Sequence, residues 1–591
     1  MIEAVAGRLE RALADACGVV LAALLALVTI TTFQRYALGS GWLGAEEAAA
    51  WLLVLLACLG FPLASGGPLS MSIDLFPALR GGPAAARGIL AEAVILTASV
   101  AFVSTGLQAG LRVGGVSALL GLGEWMRPAM LAGAGVLAIV LRLAVLVRED
   151  GRSRLIPGLA VAAMLWLAVE TGMATDAVPP SLVAAIVVAL GILVAAPLPH
   201  VFIAAGYLAL LGGSPLVEPA IALQLLSGLG RYLLLAVPFF LLTGGLLIVS
   251  GMASDLVRLA GSLVGARRAG LGQTVLLTSV LFSGISGSSI ANAAFSAKTF
   301  LKPLTASGYA PERAGAIIAA ASVLDNIIPP SIAFLILAAA TDLPVGPLLV
   351  GGLVGGLVLA AALAVAIHVV GGGQGLPQTP SEPRRVLALR ALPVLGLGLV
   401  VVAGIRFGLV TPTEAAGLAA LYTLAAALAR RGGWRGIADA FRQSGAEAAA
   451  ILVLIGAAMP LSFLLATDGV AASAARAALL LGDNPVMVMI AANLLLLVVG
   501  LALDIGAGIL LFAPILLPVA VAVGIDPVWF GVVLVINLMI GGLTPPVGIL
   551  VQVVSAATGL PATALFRTVL PYMAALLAAL FSISLFVAVW S

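Results

Sequence analysis

The sequence predicts an all-α, polytopic membrane protein with about 15 transmembrane helices and two re-entrant hairpins. Three observations lead to this fold class. Of the 591 residues, 62% are hydrophobic and only 9% are charged, whereas a typical soluble chain is about 25% charged. Apolar stretches long enough to cross a bilayer recur from one end of the chain to the other. The second part of the chain also repeats itself, as an inverted-repeat protein does.

A first module of four membrane helices is predicted over residues 1–150. Its apolar stretches run over 16–38, 48–66, 89–110 and 128–148. A fifth apolar segment follows within 151–179, and we expect it to be a connecting transmembrane helix. This helix lets the first module end on one side of the membrane while the next module begins on the other.

The larger block divides into two halves around a long polar linker, predicted over 371–386. The first half, 180–370, contains the apolar stretch 271–300, which has polar and glycine residues in its middle. The second half, 387–591, contains a similar stretch at 490–520. Both stretches are predicted to be re-entrant hairpins, which enter and leave the membrane on the same side.

The two halves align without gaps after a shift of 216 positions. Five matches carry this register: Gly284 with Gly500, Gly308 with Gly524, Pro311 with Pro527, Gly315 with Gly531, and Pro329-Pro330 with Pro545-Pro546. Each half has five predicted crossings, an odd number, so the second copy must be inserted upside down. Inverted repeats are typical of secondary transporters.

The basic residues indicate how the protein is oriented. With the two hairpins re-entrant, most of the 28 lysine and arginine residues fall in loops on one side. By the positive-inside rule that side is the cytoplasm, and it includes the N-terminus. Because these residues are scattered over short loops and not gathered on one face, nucleic-acid binding is excluded. The lipid bilayer is the expected environment.

The first candidate site is the run Ser283–Ser289, followed by Asn292, in the middle of the first hairpin. Glycines at this density unwind a helix, and free carbonyls at membrane depth need protein, water or an ion beside them. Serine hydroxyls and carbonyls are hard oxygen ligands, which suit sodium. The alternative is a helix-packing seam of small residues.

The second candidate site is a pair of broken helices. The segment Asp325–Ser331 contains two consecutive prolines, and so does its repeat mate 541–546. Paired prolines remove two amide donors and free the carbonyls one turn earlier, which breaks a helix within the membrane. A simple kink is the alternative, although the same break occurs in both copies.

The third candidate is Asp504, at the tip of the second hairpin. A carboxylate within apolar sequence is costly unless a cation or a hydrogen-bond donor meets it. Asp504 could therefore hold a cation, or it could cap the N-terminus of a half-helix.

Together these motifs resemble the TRAP transporters, the tripartite ATP-independent periplasmic carriers. The large membrane subunit of that family is matched by SGISGSS at 283–289, PLTASGY at 303–309, IIPPS at 327–331, TPTEA at 411–415 and LTPPVG at 543–548. The first module, with QRYALG at 34–39 and an acidic pair at 46–47, resembles the small four-helix subunit. The chain therefore resembles the form in which small and large subunits are fused.

The resemblance implies sodium-driven import of a small organic acid in the bacterial inner membrane by an elevator-type movement. It also implies a separate periplasmic substrate-binding protein, and no cofactor besides Na+ as the coupling ion. Carried onto this sequence, the first sodium site uses Ser286 and Ser289 with backbone carbonyls around Asp325, Ile328 and Pro330. The second consists of Asp504, Gly541, Thr544 and Val547. The candidates for facing the substrate are Asn292, Asn326, Gly506 and Gly508.

The sequence departs from the family pattern at Asp325-Asn326, where small residues are expected. Three other functions fit the sequence less well. A stand-alone anion carrier of similar architecture would not need the first module, and a passive channel would not need two broken, inverted hairpins. A polytopic membrane enzyme would need a catalytic set, and the chain has no HExxH or Gly-x-Ser-x-Gly motif and no clustered aspartates. The protein is therefore not expected to be an enzyme.

Overall fold

The computed structural model describes residues 2–72, 74–75, 81–148, 152–171, 178–213, 216–264, 269–286, 289–370, 382–430, 432–479 and 484–590. Within these ranges the chain is all-α, and its only pairing of β type is an isolated bridge between Val116 and Gly123. The described residues include ten helices long and apolar enough to cross a membrane and seven shorter apolar helices of 10–17 residues. The all-α membrane fold is therefore confirmed, whereas the count of about 15 crossings stays a prediction.

The first module and the connecting segment form α1 (Ile2–Ala37), α2 (Ala45–Leu63), α3 (Gly82–Arg112), α4 (Met126–Arg148) and α5 (Arg152–Glu170). The first repeat follows with α6 (Pro180–Leu193), α7 (Leu198–Leu208), α8 (Glu218–Leu229), α9 (Ala236–Val249), α10 (Met252–Val264), α11 (Gly270–Ser286), α12 (Ser289–Ala306), α13 (Pro311–Ala321), α14 (Ile332–Thr341) and α15 (Val345–Val370). The second repeat has α16 (Arg384–Arg406), α17 (Pro412–Ala429), α18 (Trp434–Thr467), α19 (Val470–Leu479), α20 (Pro485–Ala502), α21 (Ile505–Ala522), α22 (Pro527–Gly541), α23 (Ile549–Thr558) and α24 (Ala562–Trp590).

The chain folds into two compact units, and the first comprises Met1–Pro238 and Phe441–Ser473. Small residues allow close helix packing in this unit, as in other membrane proteins. A Cβ on Gly60 of α2 would lie 2.6 Å from the Cβ of Ala449 in α18. A Cβ on Gly445 of α18 would lie 2.7 Å from the backbone of Cys17 in α1. In the same unit, α3 packs against α4, α5, α7 and α8.

The second unit, Phe239–Ala440 and Ala474–Ser591, contains both hairpins. Its helices follow the predicted register. Adding 216 to the residue numbers of α12 gives 505–522, which are the bounds of α21. The turns after these two helices also match, because Gly308 and Gly524 both have a φ of 86°. The left-handed backbone explains why both copies have glycine there.

The two repeats pack against each other reciprocally within this unit. Helix α12 of the first copy contacts α23 of the second, and α21, the mate of α12, contacts α14, the mate of α23. Such an exchange of equivalent contacts is what a two-fold relation produces. The second arm of each hairpin is therefore supported by the other copy.

Some predicted boundaries need correction. The two helices of the first hairpin span 270–306 and not 271–300, and those of the second span 485–522 and not 490–520. Helix α16 begins at Arg384. The last three residues of the predicted 371–386 linker therefore belong to the first turn of this helix. Residues 371–381 of that linker lie outside the described residues.

Candidate ion and substrate site

The first hairpin meets a broken helix. Helix α11 ends at Ser286 and α12 begins at Ser289; residues 287–288 and the side chains of 284–288 lie outside the described residues. Both helices pack against the 3₁₀ segment Ser322–Asn326, which follows α13. The next helix, α14, begins only after the two prolines, and Ser331 caps it by accepting a hydrogen bond from the Phe334 N–H at 3.4 Å.

A buried polar network joins the hairpin to this segment. Asp325 is completely buried, and the Asn292 side-chain amide donates to its Oδ2. The same amide lies 3.3 Å from the hydroxyl of Ser279, and the Ser296 hydroxyl donates to Asn292 Oδ1 at 3.2 Å. Asn292 therefore connects α11, α12 and the 3₁₀ segment.

Three buried oxygens at this place have no hydrogen-bond partner among the described residues: Ser289 Oγ, Asp325 Oδ1 and Asn326 Oδ1. Buried polar atoms are almost always paired, so three unpaired oxygens on adjoining segments call for a specific explanation. A carboxylate, an amide and a hydroxyl oxygen are hard ligands. These residues fit a hard cation such as sodium.

The other residues of the predicted first site lie around this network. Ile328 and Pro330 are buried, and Ile328 packs against α15, where a Cβ on Gly356 would lie 2.4 Å from Ile328 Cγ1. Ser286 ends α11, but its side chain lies outside the described residues. The structure thus brings Ser289, Asp325 and their neighbours together on one hairpin arm and one broken helix.

The second hairpin is arranged differently at its tip. Asp504 is half-buried and caps α21, since its Oδ2 accepts a hydrogen bond from the Gly506 N–H at 3.0 Å. Capping of this helix is one of the two roles predicted for Asp504 from the sequence, the other being cation binding. A role of Asp504 in sodium binding stays a prediction.

The broken helix of the second repeat touches the hairpin through glycines. A Cβ on Gly541, at the end of α22, would lie 2.6 Å from the Cα of Gly500 in α20. Beyond it, the Thr544 hydroxyl donates to the Ile540 carbonyl at 3.2 Å, and Thr544 and Val547 are half-buried. Gly541 therefore lies against the hairpin backbone, three residues before Thr544.

The four substrate-facing candidates have different surroundings. Asn292 is fully buried and engaged in the network with Asp325. Gly506 and Gly508 are buried, and a Cβ on Gly508 would lie 3.0 Å from a methyl group of Leu538. Asn326 is half-buried and keeps one side-chain oxygen unpaired among the described residues.

A second polar network was missed by the sequence analysis. Asn537 of α22 donates to Asn493 Oδ1 in α20 at 2.7 Å, and Asn493 donates to Ser584 Oγ in α24 at 2.9 Å. All three residues are buried. The residues 216 positions before Asn493, Asn537 and Ser584 are Leu277, Ala321 and His368, respectively. The two asparagines, whose mates are apolar, were the available signal, because polar residues within the membrane are rare.

These features define a class of protein: a membrane transporter built from two structural repeats, each with a helical hairpin packed against a broken helix. Comparison with known families gives the particular family. Residues 181–589 match the family described as "Tripartite ATP-independent periplasmic transporter, DctM component". Residues 24–151 match the DctQ component of the same transporters. The chain belongs to the TRAP transporter family and carries both membrane components in one polypeptide.

Relatives agree with this assignment. The chain is 35% identical over 377 residues to the C4-dicarboxylate TRAP transporter large permease protein DctM of Pseudomonas aeruginosa, covering 63% of this chain and 88% of that protein. It is 33% identical over 371 residues to the sialic acid TRAP transporter large permease protein SiaM of Vibrio cholerae, covering 62% and 87%. It is 29% identical over 360 residues to the isethionate TRAP transporter permease protein DctMQ of Oleidesulfovibrio alaskensis, covering 60% and 57%.

Proposed function

We propose that this TRAP permease imports a small organic acid, delivered by a periplasmic substrate-binding protein, and that an inward sodium gradient drives the import. The hairpin-bearing part carries the bound substrate across the membrane in an elevator-type movement. The observation that carries the proposal is the group of unpaired buried oxygens at Ser289, Asp325 and Asn326, where a hairpin meets a broken helix.

Sodium as the driving ion is supported by the chemistry of the donors. The two proposed sites are those inferred from the sequence, at Ser286, Ser289, Asp325, Ile328 and Pro330 and at Asp504, Gly541, Thr544 and Val547. Each combines hydroxyl groups with backbone next to a helix break, which is how discontinuous helices coordinate sodium in secondary transporters. The described residues contain no group of three or more His, Cys, Asp or Glu side chains suited to a transition metal.

An acidic substrate is supported by the relatives and by the helix ends. The named substrates of the relatives are C4-dicarboxylate, sialic acid and isethionate, which are all anions at neutral pH. Helices α12 and α21 begin at the hairpin tips. Their N-terminal N–H groups carry partial positive charge, which attracts an anionic group.

A binding protein as partner is supported by the family and by the first module. The match to the DctQ component covers residues 24–151 of this chain. A stand-alone anion carrier would have no use for such a module. No observation favours a channel or an enzyme.

The test is substrate uptake by proteoliposomes that contain the purified chain, with the substrate-loaded binding protein outside. We expect uptake under an inward sodium gradient and no uptake above background under an equal potassium gradient. Ser289→Ala should raise the sodium concentration for half-maximal uptake about three- to tenfold, as expected for the loss of one neutral ligand. Ser262→Ala is the matched control, because its buried hydroxyl already donates to the Leu259 carbonyl at 2.7 Å.

Two results would contradict the proposal. Equal uptake in sodium and potassium would exclude sodium coupling. An unchanged sodium requirement in the double variant Ser289→Ala/Thr544→Ala would exclude the assigned sites while leaving the coupling intact.

A further inference from the structure

The two copies of the repeat differ at the point where the broken helix meets the hairpin. In the second copy this position is Gly541, which lies so close to Gly500 that no side chain fits between them. In the first copy the same position is Asp325, a fully buried carboxylate. The repeat symmetry therefore accounts for the backbone at this position but not for the acid.

The hydrogen bonds of Asp325 leave it without a balancing charge. Its Oδ2 accepts from the neutral amide of Asn292. Its Oδ1 has no partner, and no ion pair involves Asp325, within the part of the chain that the structure describes. A buried ionised carboxylate is normally paired or coordinates a cation, because burying an isolated charge is costly.

The geometry leaves one carboxylate oxygen available. The Ser296 hydroxyl holds Asn292 Oδ1 at 3.2 Å, which turns the amide nitrogen of Asn292 toward Asp325 Oδ2. Ser289 lies one turn before Asn292 on α12, so it shares the helix face that packs on the 3₁₀ segment. Its hydroxyl is buried and has no partner among the described residues. Two unpaired oxygens, one from a carboxyl group and one from a hydroxyl group, thus lie on facing elements among the described residues.

We propose that the Asp325 carboxylate is itself a ligand of the coupling cation, together with the Ser289 hydroxyl, and that Asn292 is its positioning residue. This inference rests on the proposed function. It makes the two cation sites inequivalent: the first-repeat site supplies a negative charge at the position where the second has Gly541, while the Asp504 carboxylate is held by the Gly506 N–H. The first-repeat site is then the tighter one.

The test measures sodium binding without substrate, from the rise in unfolding temperature of the detergent-solubilised full chain as NaCl replaces choline chloride. Asp325→Asn keeps the shape of the side chain and removes its charge. We expect the sodium concentration for half-maximal stabilisation to rise at least tenfold. Asp526→Asn is the matched control: it also removes one carboxylate, but asparagine can keep the cap that Asp526 provides to the Trp529 N–H. Its sodium response should equal that of the unmodified chain.

A charge swap separates the loss of charge from a loss of structure. The double variant Asn292→Asp/Asp325→Asn moves the carboxylate across a single hydrogen bond, so it should recover most of the lost sodium affinity. Should Asp325→Asn fail to give a monodisperse protein, Asp325→Gly takes its place, since glycine is the residue of the second copy. The same loss of affinity is expected from it.

The outcomes distinguish this inference from the proposed function. If the unmodified chain shows sodium-coupled uptake but Asp325→Asn or Asp325→Gly binds sodium with unchanged affinity, the carboxylate is not a ligand and the proposed function stands. If neither the stability nor the uptake of the unmodified chain responds to sodium, the proposed function itself is wrong. A loss of affinity that the charge swap does not restore also overturns the inference, because the effect would then come from altered packing.

Discussion

At the scale of single residues, two buried carboxylates show how the surroundings decide the role of an acid in a membrane protein. Glu92 in α3 is only 2% exposed, and Arg142 of α4 binds it with two hydrogen bonds of 2.6 and 2.7 Å. Its charge is balanced within the protein, so its role is structural. Asp325 is equally buried but has a neutral amide as its partner. Our proposal that Asp325 is a cation ligand rests on this missing countercharge.

The Glu92–Arg142 pair gives a prediction about stability. Glu92→Ala leaves a partly buried guanidinium without a partner, and we expect it to lower the stability of the first module by about 3–5 kcal/mol. The measurement is the unfolding temperature of the purified chain in detergent. The control is Glu92→Leu/Arg142→Met, which replaces the pair with apolar side chains and should restore most of the stability. If the double variant were as unstable as the single one, the loss would come from packing and not from the unpaired charge.

At the scale of elements, each hairpin is joined to a broken helix in its own way. Next to the hairpin tip, the first copy has a hydrogen bond between the side chains of Asn292 and Asp325. At the corresponding place the second copy has a contact between the backbones of Gly500 and Gly541, and its Asn493–Asn537 hydrogen bond lies farther along the same two helices. A side-chain contact can be changed by a ligand at the same place. A contact between glycines depends only on the approach of the two helices, and it disappears when a methyl group is added.

This difference predicts that Gly541 is intolerant of alanine. The added Cβ would lie 2.6 Å from Gly500 Cα, so α20 and α22 must separate. We expect a destabilisation of about 1–3 kcal/mol, typical of overpacking, measured as a lower unfolding temperature in sodium-free buffer. Gly396→Ala is the matched control, because no atom lies within 4 Å of its Cβ position in α16. Equal stability of the two variants would contradict the close approach of the helices.

The elements could be predicted from the sequence to the extent that local residues determine them. The run of glycine and serine in the first hairpin and the double prolines act within one turn of the chain, and the structure has helix ends next to both. The partners of Glu92 and Asn493 could not be predicted, because they lie 50 and 44 residues away along the chain. Which polar groups meet depends on helix packing, on which the composition of each helix gives no information.

At the scale of the whole molecule, the gapless register of 216 residues holds for the helices of both hairpins and for the helices that follow them. The reciprocal contacts of α12 with α23 and of α21 with α14 are consistent with the two-fold relation of inverted repeats. Insertion of the copies in opposite directions follows from the odd number of predicted crossings, and it can be tested directly.

Opposite insertion predicts that mates in the two copies face opposite sides of the membrane. Ala310 and Asp526 are mates, and both are exposed in loops. A membrane-impermeant maleimide should label Asp526→Cys in intact spheroplasts, and Ala310→Cys only after permeabilisation. The two native cysteines, Cys17 and Cys58, are buried, so the unmodified chain serves as the unlabelled control. Labelling of both variants from the same side would show that the copies are parallel.

The gapless register also provides every position of the transporter's core with an internal reference. In a saturation mutagenesis screen, a position where both copies are inactivated by the same substitutions indicates a requirement of the fold. We expect this result at Gly308 and Gly524, which share a left-handed backbone. A position where only one copy is intolerant indicates a requirement of ion or substrate binding. We expect this result for removal of the charge at Asp325. A single chain thus offers the contrast that is ordinarily sought among separate homologues.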